Sequence, residues 1–178
     1  MTSDITGEGS VVLENTLQER SHMQPVSLVS SNGHYLARNT FEEGLAEWSN
    51  RDNEVGATVT LDNSATFDKT HAAKITNTHV GGNFAVNVIT MPFDAKEYPL
   101  VQFDYHIPSD VKTNFLVKVS GRWYNIGFTD DPKELKDKRV NIAHIGDIKD
   151  VMADDKWHTA RFNLYDMLRT KTGNTIVE

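Results

Sequence analysis

Val101-Gln102-Phe103-Asp104-Tyr105-His106-Ile107 alternates apolar and polar side chains without a break. Successive residues of an extended chain face opposite sides of a sheet, so Val101, Phe103, Tyr105 and Ile107 point one way and Gln102, Asp104 and His106 the other. A solvated strand face commonly carries Lys, Glu and Thr. This one offers an amide, a carboxylate and an imidazole in one row, a set suited to a hydroxyl-rich ligand. The plain alternative is an antiparallel sheet that faces water on one side.

The same pattern recurs on both sides of this run. Phe115, Val117 and Val119 make the next inward row, Gly121 turns the chain, and Tyr124, Ile126 and Phe128 return it as a hairpin partner. Upstream, Val55 to Leu61, His71 to Thr76 and the Phe84, Val86, Val88 row read as extended pieces. Pro92 and Pro99 bracket a connection, because neither can donate to a central ladder. Downstream, strands are expected near 140–145 and 157–164, the latter with Ala160, Phe162 and Leu164 on a common side. Helical candidates are brief, at Pro132 to Lys136 and Asp166 to Arg169. Short strands between turn signals predict an all-β, antiparallel β-sandwich or jelly roll. A doubly wound α/β sheet would need amphipathic helices of about ten residues or more between strands, and the sequence has none.

The 178 residues support one main core. Residues 39–178 are assigned to the jelly roll, with a strand starting near Thr175 and a last strand expected to be lacking or supplied by another segment. Residues 1–38 are read as a leader or extra strands, in part tag-derived around Arg20-Ser21-His22-Met23. The 25 acidic and 18 basic side chains give a formal charge of −7, and no basic cluster is present to neutralise a run of phosphates, so nucleic acid is not expected as a partner. There is no cysteine, which excludes disulfides and thiolate chemistry. No apolar run is long enough for membrane insertion, and the first ten residues lack the basic and apolar regions of a secretory signal.

Three pieces together resemble the jelly-roll carbohydrate-binding modules of the galactose-binding-like superfamily. They are Asn39-Thr40-Phe41-Glu42-Glu43-Gly44 followed by Trp48, Thr70-His71-Ala72-Ala73-Lys74-Ile75, and Asp155-Lys156-Trp157-His158 leading into Phe162-Asn163-Leu164. The resemblance implies a non-catalytic module of a secreted or cell-surface protein that binds a glycan or polysaccharide and neighbours other domains. It also implies that Trp48 and Trp157 cover the core edge, and that a structural Ca2+ is held by Glu42 and Asp68 with carbonyls of Lys69 and His71. Calcium favours six to eight hard oxygens.

If the inward rows are assigned correctly, Asn87, Gln102, Asp104, His106, Trp123 and Asn125 project from neighbouring strands onto one surface. A sugar site needs that mixture of an apolar platform and directional hydrogen-bonding groups. Trp123 has two open readings, ligand platform or packing beneath a loop. Catalysis has less behind it: Asp104 and His106 share a face, but no motif fixes a carboxylate pair. The seven histidines form no His-x-His or His-Glu-x-x-His pattern. The serious rival is a structural or adhesion module of a larger surface protein that binds another protein domain.

Overall fold

A computed structural model describes residues 19–51, 56–64, 71–78, 85–130 and 142–178, with 19–26 described by their backbone alone. The strands are β1 (Glu19–Val29), β2 (Tyr35–Asn39), β3 (Ser49–Asn50), β4 (Ala57–Asp62), β5 (Ala72–Asn77), β6 (Val86–Asn87), β7 (Phe93–Asp94) and β8 (Leu100–His106). They continue with β9 (Asn114–Val119), β10 (Arg122–Gly127), β11 (Ala143–Asp147), β12 (Trp157–Asn163) and β13 (Ile176–Val177). One helix, α1 (Leu164–Lys171), lies between β12 and β13.

The alternating run is β8, and its parity holds. Val101, Phe103, Tyr105 and Ile107 are buried, whereas Gln102 is exposed and Asp104 and His106 are partly exposed. The first sheet runs β12-β8-β1-β5-β4, with β2 also paired to β1. The second runs β11-β10-β9-β13-β7, and β3 and β6 form a separate two-stranded piece. The two large sheets pack face to face through aromatic rings. Phe103 of β8 lies 5.0 Å from Phe115 of β9 and 5.4 Å from Phe128, and Tyr105 lies 5.0 Å from Phe128. Burial of such rings supplies most of the drive for the two layers to close. The architecture is an all-β sandwich built mainly from antiparallel pairs.

Three features of the topology go beyond the strand pattern. First, residues 19–38 contribute strands to the sandwich, since β1 is hydrogen-bonded to β8 and β5 in the interior of the first sheet, and β2 pairs with it too. Pro25 lies within β1, although proline argues against a central strand. The chain accommodates it with a register shift between Gln24 and Val26, and a bulge leaves one residue unpaired. Second, β10 and β11 pair in parallel. Third, the piece beginning near Thr175 is seated within the second sheet, since β13 pairs with both β7 and β9.

Local chemistry accounts for the turns and the helix. Ser120 and Gly121 both have positive φ, 50° and 73°, as a two-residue hairpin between β9 and β10 requires. Asn163 caps α1 by accepting from the Asp166 N–H at 3.0 Å, and Leu164 and Leu168 turn the buried side of the helix to the core. Asp166 in the first turn and Arg169 and Lys171 in the last complement the helix dipole.

Candidate functional site

The β8 face does not stand alone, because β12 runs antiparallel beside it. Residues directly opposite in such a pair share a face, and the register sets Trp157 against His106, Thr159 against Asp104 and Arg161 against Gln102. This gives a block two strands wide and three residues long on the outside of the first sheet. The Trp157 and His106 rings have centroids 5.6 Å apart at 57°. Thr159 donates its hydroxyl proton to Asp104 Oδ1 at 2.5 Å. Arg161 and Gln102 are exposed at the other end. On the far side of β8, β1 sets Ser27 against Gln102, Gln24 against Asp104 and His22 against His106.

The 150–156 loop closes the tryptophan end. Asp150 and Asp155 both have positive φ, a conformation that a short polar side chain tolerates better than most. The Met152 N–H donates to Tyr105 Oη at 2.9 Å, and the Asp155 N–H donates to the Ile107 carbonyl at 3.1 Å. His158 Nε2 lies 2.6 Å from Asp154 Oδ1, and that hydrogen bond holds the Asp154 carboxyl below the ordinary carboxylate range. Burial pushes the Tyr105 hydroxyl pKa up. His106 Nε2 stands 3.7 Å from Asp155 Oδ1, so the loop meets the outer face through an acid.

The six residues expected on one surface separate into three places. Gln102, Asp104 and His106 lie on the outside of the first sheet. Trp123 and Asn125 belong to β10, where Ile126 points into the sandwich. Trp123 and Asn125 therefore face outward from the second sheet, on the opposite side of the molecule. Trp123 is 37% exposed, with the Arg51 guanidinium 5.3 Å from its ring centroid. Asn125 is only 2% exposed, and among the described residues neither atom of its amide has a hydrogen-bond partner. Asn87 sits on the β3–β6 piece and donates to Ser49 Oγ at 3.2 Å. The physical reason is sheet membership: the connection between β8 and β9 crosses from one sheet to the other, so matched parity does not mean a shared surface.

The two tryptophans assigned to the core edge also differ. Trp48 is buried and meets Phe41 edge to face at 5.2 Å. Trp157 is on the outer face instead. Its position was readable from the inward parity of Ala160 and Phe162, which turns Trp157, Thr159 and Arg161 the other way.

Of the calcium set, Glu42 and His71 do meet. The His71 N–H donates to Glu42 Oε1 at 3.3 Å, and His71 Nδ1 is 3.6 Å from Glu42 Oε2. Asp68 and Lys69 lie outside the described residues. Among the described residues no group of three or more His, Cys, Asp or Glu side chains is placed to hold a metal ion, and no helix is long and apolar enough to cross a membrane. No protein-family model matches this chain, and no significant match is found among curated proteins or solved structures.

Proposed function

We propose that the outer face of the first sheet binds a glycan without transforming it, with Trp157 rather than Trp123 as the aromatic platform. The observation that carries this is the register of β12 on β8, which sets an indole and an imidazole beside a carboxylate, a hydroxyl, an amide and a guanidinium. An indole covers the carbon–hydrogen face of a sugar ring, and the other groups supply donors and acceptors for hydroxyls. Asp104 and His106 are engaged by Thr159 and by Asp155 with Trp157 respectively. That arrangement suits fixed recognition better than the movement of a proton between them.

A glycan and polysaccharide array, run with calcium and again with chelator, followed by calorimetry on the hits, tests the proposal. Trp157→Ala should weaken binding at least about tenfold, equivalent to about 1.4 kcal/mol, while Trp123→Ala leaves it unchanged. The opposite ranking overturns the choice of face. Absence of binding to every glycan overturns the function and favours the protein-binding reading.

A further inference from the structure

We infer that this face selects acidic glycans, those bearing carboxylate or sulfate groups, an inference that rests on the glycan-binding reading above. It comes from one row that crosses the first sheet at right angles to its strands. Arg161 of β12 stands opposite Gln102 of β8, Gln102 opposite Ser27 of β1, and Ser27 opposite Arg38 of β2. All four point outward, because Val101 and Leu28, their neighbours in β8 and β1, are buried.

Arg161, Gln102 and Arg38 are exposed, whereas Ser27 is 6% exposed between longer neighbours. The two arginines are three strand spacings apart, on the order of 14 Å along the sheet, with the smallest side chain of the row and an amide between them. Neither guanidinium has a carboxylate within ion-pair distance among the described residues. Arg38 instead lies over the Tyr35 ring, 5.1 Å from its centroid. Two cations with no carboxylate partner among the described residues thus share one row of a chain whose formal charge is −7.

Other charges described on this face are engaged. Lys74 pairs with Asp62 at 3.3 Å, and Asp104, in the next row, accepts from Thr159. A guanidinium presents a planar fork of donors that matches a carboxylate or sulfate with two parallel hydrogen bonds, and it keeps its charge at every relevant pH. A ligand chain lying along the row would meet Arg161, the Gln102 amide and Arg38 in turn. Its remaining rings would reach Trp157, four residues from Arg161 along β12. A neutral glycan would give the two cations nothing to pair with.

Calorimetry with the full chain separates the alternatives, using polygalacturonate for carboxylate, dextran sulfate for sulfate, neutral dextran, and polyglutamate as an acidic polymer without sugar. Binding to either acidic glycan is expected, at least tenfold tighter than to neutral dextran and weakening as salt is raised. The double variant Arg38→Gln/Arg161→Gln should lose at least tenfold in affinity for the acidic glycan and most of its salt dependence, with an unchanged circular dichroism spectrum and melt. Equal affinity for neutral dextran, or a double variant that binds acidic glycan as the parent does, overturns the inference and leaves the glycan reading standing. Polyglutamate binding as tightly as polygalacturonate, or no binding to any glycan, overturns both.

Discussion

Phe103→Leu and Phe115→Leu, made singly and together, test the packing on which the placement of every surface residue depends. Phe103 has no exposed surface and contacts three rings, those of Phe115, Phe128 and Tyr105, at 5.0, 5.4 and 5.9 Å. Phe115 contacts Phe103, Phe128 and Phe162. Leucine keeps most of the apolar volume, so each single change should cost about 1–3 kcal/mol from imperfect repacking plus lost ring contacts. For a chain of this size that is a fall of about 2–4 °C in Tm per kcal/mol. The informative quantity is the coupling. One direct ring pair contributes about 0.5–1.5 kcal/mol beyond its buried area, so the double variant should lose less than the sum of the singles by about that amount. Urea unfolding followed by tryptophan fluorescence reads it from midpoint shifts at constant m. Additivity to within about 0.3 kcal/mol would mean that the two rings do not meet. The two sheets would then not close as described, and the assignment of Gln102 and Trp123 to opposite outer faces would fall with them.

Gly127→Ala should destabilise the protein because the added Cβ would sit 2.3 Å from Asp147 Oδ1 and displace the carboxylate from His144, 3.2 Å away. In an Asp147→Ala background the sign should reverse to a gain of about 0.4–1 kcal/mol, since alanine narrows the unfolded ensemble; the same sign in both backgrounds, by urea titration, refutes the clash. Asp154 is held below its ordinary pKa of 3.8, chiefly by the His158 hydrogen bond, so its stabilising contribution is complete above that value and fades as pH falls through the lower folded value. Asp154→Asn should therefore have a flatter acid limb than the parent in melts taken from about pH 6 to about pH 2, and parallel limbs would remove the pair from the account.

Parity was legible because it is local. The alternation of 101–107 assigns inward and outward residues correctly, and the hairpin of β9 and β10 follows from apolar rows on either side of Gly121. Sheet membership is a long-range property, and no local pattern distinguishes two strands in one sheet from two strands in facing sheets. Trp123 and His106 have the same outward parity and end on opposite sides of the sandwich. The interior position of β1 was hidden for a different reason: Pro25 runs against the rule for central strands, and it is accommodated only by a register shift that depends on β8. The parallel pairing of β11 with β10 was equally hidden, since both strands have ordinary antiparallel composition.

The tryptophan end of the candidate site is fixed by the core rather than by the surface. The 150–156 loop hangs from Tyr105, itself buried among Phe103 and Phe128, through the Met152 N–H, and from the end of β8 through the Ile107 carbonyl. Those bonds set Asp155 near His106, and His106 in turn lies against Trp157. The indole and imidazole are thus positioned before any ligand arrives, which lowers the ordering cost of binding. At the other end of the face, Arg38 and Arg161 extend on long, exposed side chains that adapt to where an anion lies. In the proposed reading, a rigid aromatic end and an adaptable cationic end divide the work: the first would select a ring, the second its charge. That division is why loss of Trp157 should weaken every glycan, while loss of the two arginines should weaken only the acidic ones.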